Sequence, residues 1–536
     1  MSSAPETSVY TAISFAPVQS FIEKSRKLRD LYGASQILSY LSAKIVRSAG
    51  NPVISPVLND SGSNIDLIQG LPNRILIEGK FSYNDAHSAI AEGWDEIISA
   101  CRGWIETNPQ LSQDFQFSQE GWERAWVKWK INAWEIFWGE GETINLAMLA
   151  LDTNKLRRDW TVPNWNGESS SLSGADGIAY PGMDNQDNVG SKYDSNQERE
   201  EIRKFYDKLA KALESTKQQD EPIFLNPSER LSIPELIKRL VTHNQVARRI
   251  DKQQSLYAKS FREMLRVKDK DQGEEGGYRT GWFMGDGDKV GNHLKGLQTS
   301  EEVREFSSDL RAWGRQFQEY FNLNFGRVVY AGGDDFFGVL FGTDDQEAER
   351  RRTEILEFLI SLHERWEAGK LKINLSVGFV LAGHSVPQRD VLQHCREAEK
   401  CAKNLGRNRV TIRILFNNGQ FVQWTTPWQY LKWLKDYRDR SSPERKTGND
   451  ANWSHVYSDL AQLKARHAIP PKTAGHIDNT NEDMVALSLL GLYFGDDKPE
   501  ILSKHRQDIT GSEGTKSVIK WIEGMIQVGW QLSRYA

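Results

Sequence analysis

Two glycines followed by two aspartates make up the segment of this sequence whose chemistry is easiest to name. Residues 328–340 read VVYAGGDDFFGVL, so two short β-prone runs are separated by Gly332 and Gly333, with Asp334 and Asp335 where the turn ends. Glycines allow a tight hairpin turn and a close approach of backbone to a ligand. The adjacent carboxylates repel each other unless water or a cation neutralises them, and hard oxygen ligands of this type suit Mg²⁺ carrying a nucleoside triphosphate. A solvated surface hairpin would carry the same string, so the surroundings must decide.

A second acidic cluster lies about 40 residues upstream of this turn. Residues 281–291 read GWFMGDGDKVG, an apolar strand that runs into Asp286 and Asp288. Alternate positions of a strand point to one face, so the two carboxylates share a face only if the strand continues through Gly287. Acids at a strand end rarely serve stability, and we therefore predict that Asp286 is a metal ligand and that Asp288 is a further candidate.

The elements between and after the two motifs indicate how the acids could meet. Residues 300–324 have helix-spaced apolar side chains, early glutamates and Ser300 as a candidate N-cap. The resulting order βαββαβ is the ferredoxin-like split unit, in which the first strand lies beside the central hairpin. We therefore predict that Asp286 lies beside Asp334 and Asp335. The downstream elements are predicted as a helix at 346–367, a strand at 372–383, a helix at 389–405 and a strand at 409–415.

A basic segment, AKNLGRN at residues 402–408, follows the second predicted helix. Lys403 and Arg407 are four positions apart, so on a helix they would lie on one face and could place two cations on a triphosphate. Each of the three motifs is a weak signal alone, but their order and spacing together are specific.

In this order the motifs resemble the palm domain of nucleotide polymerases and cyclases, with GGDD in place of the GGDEF turn of diguanylate cyclases and AKNLGRN in place of their AK..GRN string. The N-terminal residues 9–42, VYTAISFAPVQSFIEKSRKLRDLYGASQILSYLS, resemble the opening of the Cmr-type large subunit of type III CRISPR effector complexes, the Cas-ten family. Residues 71–79 and 226–240 resemble the middle of that subunit. The resemblance runs from about residue 9 to 415.

The resemblance implies an α+β fold with two ferredoxin-like palm domains, the first without a GGDD motif, plus helical domains. A chain of 536 residues is also expected to form several domains, because single cores rarely grow beyond about 250–300 residues. The predicted domains are an N-terminal palm with a Trp-rich helical insertion at 1–160, a polar insertion and helical linker at 161–267, the GGDD palm at 268–420 and a helical domain at 421–536.

The resemblance also implies an activity. ATP would be joined into cyclic oligoadenylate second messengers, with Mg²⁺ or Mn²⁺ as the cofactor, when the assembled complex binds target RNA. The implied partners are the other Cmr-type subunits, the guide crRNA and the target RNA. By position, Ser35 in the first palm and Ser376 in the predicted strand LSVGF match serines that contact adenine. Gly332, Gly333, Lys403 and Arg407 would hold the nucleotide.

Three departures from the family pattern limit what is carried over. The chain has no His-Asp dipeptide of an HD nuclease domain, so DNase activity is not expected. Where many members have a CxxC zinc element, residues 167–177 read GESSSLSGADG, and no zinc is expected. The only cysteines are Cys101, Cys395 and Cys401. The last two lie six positions apart on a predicted helix without a histidine partner at ligand spacing, and all three are predicted to be reduced structural thiols. Ala16 replaces a usual glycine, which is a minor change.

Composition indicates an intracellular protein without a globally basic surface. The formal net charge is −5, so RNA contacts are expected from local patches such as residues 24–29 and 238–249. No signal peptide or membrane span is visible, since the longest apolar stretch, at 484–494, is too short. A cytoplasmic location is expected.

Two further patterns predict structure without chemistry. Five tryptophans are spaced like one helix face, and we interpret them as a buried seam in preference to an RNA-stacking surface. Residues 163–197 are polar and glycine-rich and are interpreted as a long insertion or mobile loop. Linkers are predicted at 268–278 and 441–452. The tryptophans are Trp122, Trp126, Trp129, Trp134 and Trp138.

Other functions stay open at this point. The chain could be a scaffold subunit with an idle cyclase site, which binds guide RNA and neighbouring proteins. It could be a free-standing cyclic dinucleotide synthase, for which the first palm would be unneeded. It could also transfer AMP to another acceptor. All of these predict the same carboxylates, so product chemistry must distinguish them.

Overall fold

The structure is a computed structural model, and its description covers most of the chain in two compact units. The first unit comprises Met1–Glu263, Leu294–Arg315 and Val329–Gly333, and the second comprises Met264–His293, Gln316–Val328 and Asp334–Ala536. The described residues are 9–57, 70–118, 120–158, 164–165, 167–183, 195–215, 223–250, 278–297, 299–321, 326–341, 354–439, 452–469, 480–511 and 518–533.

A four-stranded sheet with the order β2-β3-β1-β4 organises the first unit. Helix α2 connects β1 to β2 and helix α3 connects β3 to β4, so the chain order is βαββαβ. Strand β1 pairs antiparallel with both β3 and β4, as in the ferredoxin-like unit. A first palm-like fold without GGDD is therefore present. The elements are β1 Tyr10–Ala16, α1 Gln19–Glu23, α2 Leu28–Ser48, β2 Val53–Ser55, β3 Arg74–Glu78, α3 Tyr83–Thr107, α4 Pro109–Ser112, α5 Glu120–Asn132, β4 Glu135–Gly141, α6 Ile144–Asn154, α7 Ser195–Glu214, α8 Ile233–Leu240 and α9 Asn244–Ile250.

A buried ionic network joins α2 to α8. The guanidinium of Arg239 donates to both oxygens of Asp30 at 2.8 Å and to Glu229 at 2.7 Å. Burial alone would raise the pKa of Asp30, but the charge and hydrogen bonds of Arg239 lower it to about 2. Arg29, Lys238 and Arg239 are all at most 3% exposed. The predicted RNA patches are therefore wrong for these three cations, which are used inside the protein.

The tryptophan row is only partly helical. Trp122 and Trp126 lie in α5 and are 1% exposed, so the buried seam is confirmed for them. The prediction of one helix face is wrong for Trp134 and Trp138, because α5 ends at Asn132 and Trp138 lies in β4. Trp134 packs edge-on against Trp94, with ring centroids 5.5 Å apart.

Part of the polar segment predicted as a mobile loop is packed. Residues 167–183 form a turn closed by a bridge between Ser169 and Gly177, and Ile178 bridges to Ser232. Ala179 and Tyr180 join the core of the first unit. The prediction is therefore wrong for this stretch, because a few apolar residues are sufficient to anchor it. Except for their last residues, the predicted linkers lie outside the described residues, as do residues 163, 166 and 184–194 of the polar segment.

The second sheet has six strands in the order β10-β9-β8-β5-β7-β6. Strands β8, β5, β7 and β6 reproduce the sheet order of a ferredoxin-like unit, so the predicted βαββαβ palm is confirmed. Beyond it, β9 pairs parallel with β8, and β10 pairs antiparallel with β9. The elements are β5 Thr280–Gly287, α10 Val290–Gly296, α11 Ser300–Tyr320, β6 Arg327–Ala331, β7 Asp335–Leu340, α12 Ile355–Ala368, β8 Leu375–Ala382, α13 Gln388–Asn404, β9 Arg409–Leu415 and β10 Phe421–Pro427.

Helix α11 begins where the sequence predicts, but another residue caps it. The Thr299 hydroxyl accepts the N–H of Glu302 at 3.2 Å, and the Glu302 carboxylate accepts the N–H of Thr299 at 3.1 Å. This is a capping box at Thr299, one residue before the predicted cap Ser300.

The C-terminal part is helical, but it begins with a strand. Residues 421–427 of the segment predicted as a C-terminal helical domain form β10 of the second sheet. The predicted domain boundaries remain a prediction. No helix in the described part of the chain has the length and apolar character needed to span a bilayer. The elements are α14 Trp428–Leu431, a 3-10 helix at Lys432–Asp436, α15 Ser454–Ala465, α16 Thr480–Phe494, α17 Lys498–Lys504, α18 Arg506–Thr510 and α19 Val518–Ser533.

Candidate active site

The strand pairing of the second unit places the two acidic motifs side by side. Strands β5 and β7 are antiparallel neighbours, and their register pairs Asp286 with Asp335. The amide of Gly287 donates to the carbonyl of Asp334 at 2.8 Å, which closes the strand end. The predicted convergence of Asp286 with the GGDD aspartates is therefore present in the backbone.

Apolar packing beneath this end explains why the strands hold their register. Phe283 of β5 lies against Phe336 of β7, with ring centroids 6.2 Å apart, and against Phe358 of α12 at 5.0 Å. All three rings are at most 2% exposed. A one-residue slip of either strand would turn Phe283 or Phe336 to the opposite face of the sheet and break these ring contacts, so side-chain packing favours the register that pairs the acids.

The carboxylates are crowded. Loss of hydration and the charges of Asp334 and Asp286 together raise the pKa of Asp335 to about 7. Asp335 is exposed to solvent at the start of β7, so repulsion from the neighbouring carboxylates is the stronger cause of this rise. A bound cation would relieve that repulsion.

Lys403 is the cation nearest to this cluster among the described contacts. Its ammonium lies 2.7 Å from Asp286 Oδ2 and 2.5 Å from Glu399 Oε1, one helical turn earlier on α13. Burial alone would lower the pKa of Lys403, but these carboxylates raise it. Burial raises the pKa of Asp286, and Lys403 opposes that effect. Lys403 therefore stays protonated beside Asp286.

A glycine on β8 lets α13 come close enough for this contact. A Cβ on Gly378 would lie 2.3 Å from the backbone nitrogen of Glu399 and 2.5 Å from the carbonyl oxygen of Cys395. Any side chain at this position would push the helix away from the sheet. Sequence reasoning did not single out Glu399, because an acid on an amphipathic helix is typical of a solvated face.

Asp288 lies in a different environment from Asp286. The strand ends at Gly287, and the Asp288 side chain is 4% exposed, whereas that of Asp286 is 30% exposed. The Ser376 hydroxyl lies within hydrogen-bond distance of both Asp288 oxygens, at 2.8 and 2.9 Å, and the Asn408 amide donates to Oδ2 at 2.9 Å. The two acids therefore do not share one open face.

Arg407 is not on the helix face predicted for it. Helix α13 ends at Asn404, and Gly406, Arg407 and Asn408 have φ values of 128°, 66° and 50°. Left-handed backbone cannot continue an α-helix, so the expected side-by-side placement with Lys403 is wrong. Arg407 instead lies beside Asp288, with Nε 3.8 Å from Oδ1.

The remaining predicted positions lie in the first unit. Ser35 is in α2 and is 6% exposed, so it has little surface free for a ligand. A Cβ on Gly332 would lie 2.3 Å from the carbonyl oxygen of Gly70, so close backbone packing alone requires a glycine there. Gly333 completes the turn between β6 and β7. Ligand contacts for these residues stay predictions.

The residues present suit Mg²⁺ in one limited way. Within the described residues, no group of three or more His, Cys, Asp or Glu side chains is arranged to enclose a metal ion. Mg²⁺, however, is commonly held by one or two carboxylates together with water and substrate phosphates. The crowded pair Asp286 and Asp335, with Asp334 beside it, fits that mode, and the carboxylates would gain from a cation.

Two parts of the sequence match known families. Residues 279–411 match the second palm domain of Cas10/Cmr2, and residues 10–61 match the N-terminal region of the CRISPR-associated protein Cmr2. The predicted resemblance to the Cas10/Cmr2 family is confirmed. The GGDD hairpin, Asp286 and Lys403 all lie inside the matched Cas10/Cmr2 palm. No curated protein sequence matches the chain.

Solved structures include similar folds. A chain of the type III-B Cmr-beta complex, seen by cryo-EM in the apo state, has a TM-score of 0.53 at 10% identity, covering 89% of this chain and 78% of that chain. The Csm1-Csm4 cassette in complex with cA3 has a TM-score of 0.46 at 14% identity, covering 98% and 69%. Csm1 of T. onnurineus has a TM-score of 0.45 at 15% identity, covering 98% and 70%. At 10% identity, the likeness to the Cmr-beta chain is one of fold.

Proposed function

We propose that this chain is the large subunit of a type III CRISPR RNA-guided effector complex and that its GGDD palm converts ATP to cyclic oligoadenylates. The observation that carries the proposal is the pairing of Asp286 with Asp335 inside a matched Cas10/Cmr2 palm domain. The reaction is a nucleotidyl transfer in which a ribose 3′-hydroxyl attacks the α-phosphate of an ATP and pyrophosphate leaves.

Asp286, Asp334 and Asp335 would hold Mg²⁺, or Mn²⁺ in its place. When bound, the metal supplies charge neutralisation for the phosphates and lowers the pKa of the attacking hydroxyl. The chain's own contribution is preorganisation, because β-sheet register and buried rings hold the carboxylates at a fixed strand end. Fixed charges of this kind need no reorganisation during the reaction.

Lys403 would bind the triphosphate. Its ammonium already lies at the carboxylate cluster, between Asp286 and Glu399. The long side chain of Lys403 would reach a phosphate oxygen of ATP held beside Asp286, while Glu399 would limit the range of its ammonium. Arg407, 42% exposed at the neighbouring turn, would supply a second cation.

The proposed partners follow from the same assignment. They are neighbouring Cmr-type subunits, the guide crRNA and the target RNA, with the target RNA switching the site on. The proposed location is the cytoplasm. The predicted basic patches no longer support an RNA contact through Arg29, Lys238 or Arg239, so contacts must come from exposed residues such as Arg248 and Arg249.

The test is product analysis on the assembled complex. The purified complex is incubated with ATP and Mg²⁺, with and without complementary target RNA, and products are identified by mass spectrometry. Cyclic oligoadenylates formed only with target RNA are the expected result. Linear or mixed adenylylated products would favour transfer to another acceptor. Complete absence of nucleotide products, from a complex that binds its target RNA, would favour the idle scaffold and overturn the proposal.

A further inference from the structure

We propose that Asp288 is a positioning residue that fixes the turn after α13, and thereby Arg407, and that it is not a metal ligand. In this arrangement the Ser376 hydroxyl donates its hydrogen bond to the Asp288 carboxylate and does not contact an adenine. The inference rests on the proposed function, since it assigns the parts of the same site. It replaces two roles that the sequence suggested for Asp288 and Ser376.

The first argument is that both oxygens of Asp288 already have polar partners in a buried setting. Both oxygens are within 2.9 Å of the Ser376 hydroxyl, Oδ2 also accepts the Asn408 amide, and Oδ1 faces Arg407. The side chain is 4% exposed, and Ser376 is fully buried. A metal ion could reach Asp288 only by breaking these buried hydrogen bonds, which would leave polar groups unsatisfied.

The second argument is the backbone of the turn. Arg407 and Asn408 both have positive φ although neither is glycine. Left-handed conformations of such residues are unfavourable and persist only where the surroundings enforce them. Here the N–H of Arg407 bonds the carbonyl of Ala402 at 3.1 Å, and the N–H of Asn408 bonds the Asp288 carboxylate. The bond to a carboxylate is charge-assisted and is the stronger type.

The third argument is the position of the strand end that carries Asp288. Its own N–H donates to the carbonyl of Asn374 at 2.8 Å, so the backbone at Asp288 is tied to the segment leading into β8. Asp288 therefore connects two fixed segments, the end of β5 and the start of β8, with the turn that follows α13. Arg407 leaves this turn with its side chain 42% exposed.

Asp286 and Asp288 thus have separate tasks despite being two positions apart. Asp286 is 30% exposed and faces the ammonium of a single lysine, Lys403, which is itself 28% exposed. Asp288 faces a hydroxyl, a backbone amide and a guanidinium that define one conformation of a loop. Only the first arrangement leaves a carboxylate available to an incoming metal.

The experiment compares Asp288→Asn, Ser376→Ala and the double variant with the wild-type chain. Mn²⁺ binding without nucleotide is followed by EPR titration of the full-length chain. Binding of α,β-methylene ATP, which cannot be transferred, is followed by calorimetry, and kinetics of ATP turnover are followed in the assembled complex. Ser385→Ala, at an exposed serine after β8, is the matched control for Ser376→Ala.

A positioning role predicts that both single variants weaken nucleotide binding and raise KM for ATP by about tenfold, the scale for losing one charged hydrogen bond. The double variant should bind nucleotide no more weakly than the single variant with the larger defect, because both substitutions disrupt the same Ser376–Asp288 interaction. Mn²⁺ affinity should stay within about twofold of wild type. A loss of Mn²⁺ affinity of about tenfold or more in Asp288→Asn, with Ser376→Ala unchanged, would overturn the proposal and restore a metal ligand.

Two further points keep the outcome interpretable. Should Asp288→Asn fail to fold, Ser376→Ala removes only one hydroxyl and carries the test, and unchanged nucleotide binding in Ser376→Ala would then count against the proposal. Should the wild-type complex form no product, the proposed function fails, yet the Mn²⁺ and α,β-methylene ATP measurements still decide the role of Asp288 because neither requires turnover.

Discussion

Asp286 and Asp335 are register partners on adjacent antiparallel strands, although nearly fifty positions separate them in the sequence. This pairing brings the acidic residues of two separate sequence motifs together in one site with a high density of negative charge. The raised pKa of Asp335 is the electrostatic sign of that crowding. Repulsion among these carboxylates lowers the free energy of unfolding, and a bound cation would remove that repulsion.

The first prediction concerns the GGDD carboxylates. Changing Asp334→Ala together with Asp335→Ala should lower ATP turnover by more than about 100-fold, the scale for removing a preorganised charge-stabilising group. Thermal stability should be unchanged or slightly higher, because the repulsion with Asp286 is removed. The measurements are product formation by mass spectrometry and thermal unfolding of the same samples.

A second adjacent acidic pair offers a matched control. Asp496 and Asp497 lie exposed in the segment before α17, and changing both to alanine should leave turnover at the wild-type level. If the Asp334/Asp335 variant lost complex assembly along with activity, the motif would have a structural role and the metal assignment would lose its support.

The second prediction concerns Lys403. Changing Lys403→Ala should raise KM for ATP by roughly 10- to 100-fold, the range for a lost charged contact, and should lower kcat less. Lys400→Ala, on the same helix but exposed, is the control and should behave as wild type. An unchanged KM in Lys403→Ala would remove the triphosphate role and leave Lys403 as a counter-ion of Asp286.

Much of this site follows from patterns that a sequence displays. The apolar run of β5, the glycine turn before β7 and helix spacing in α11 are local features, and together they are sufficient to predict a βαββαβ unit. In that topology the first strand lies beside the third, so Asp286 at the end of the first strand is expected to lie next to the GGDD turn that begins the third.

What could not be predicted depends on partners distant in sequence or on unusual backbone. Arg239 reads as a surface cation, yet it is buried because Asp30, about 200 positions earlier, pairs with it. The sequence places Arg407 on the same helix face as Lys403. In the structure the helix ends before Arg407, and the positive φ values of Arg407 and Asn408 turn the chain away from the helix axis. The sequence around Glu399 resembles that of any solvent-exposed helix face, so no local pattern shows that this carboxylate lies at the edge of the site.

The third prediction concerns the first glycine of the GGDD turn. Changing Gly332→Ala should destabilise the chain by about 1–3 kcal/mol, since the new methyl group would meet backbone at Gly70, which cannot move aside as a side chain could. Chemical denaturation measures this directly. Gly291→Ala is the control, because a Cβ there meets nothing within 4 Å. Equal stability of both variants would contradict the close packing and return Gly332 to a purely ligand-related role.

The last prediction uses a buried histidine of the first unit. The His243 ring lies between Trp104 and Phe224, with centroid distances of 5.2 and 5.0 Å. Burial, together with the nearby charge of Arg29, lowers the pKa of His243 to about 4 from an ordinary value of 6.5. Above pH 6.5 the ring is neutral whether the chain is folded or unfolded. As the pH falls from 6.5 to 4, His243 becomes protonated in the unfolded chain but stays neutral in the folded chain.

The free energy of unfolding should therefore decrease over that interval by up to about 3 kcal/mol and change little further on account of His243 below pH 4. His243→Phe removes this titration and should flatten the profile between pH 6.5 and 4, whereas His87→Phe, at an exposed position of α3, should leave it as in wild type. Urea unfolding at a series of pH values gives the comparison. A wild-type profile with the same slope as that of His243→Phe would contradict the lowered pKa, because it would mean that the ring takes up its proton at the same pH in the folded and the unfolded chain.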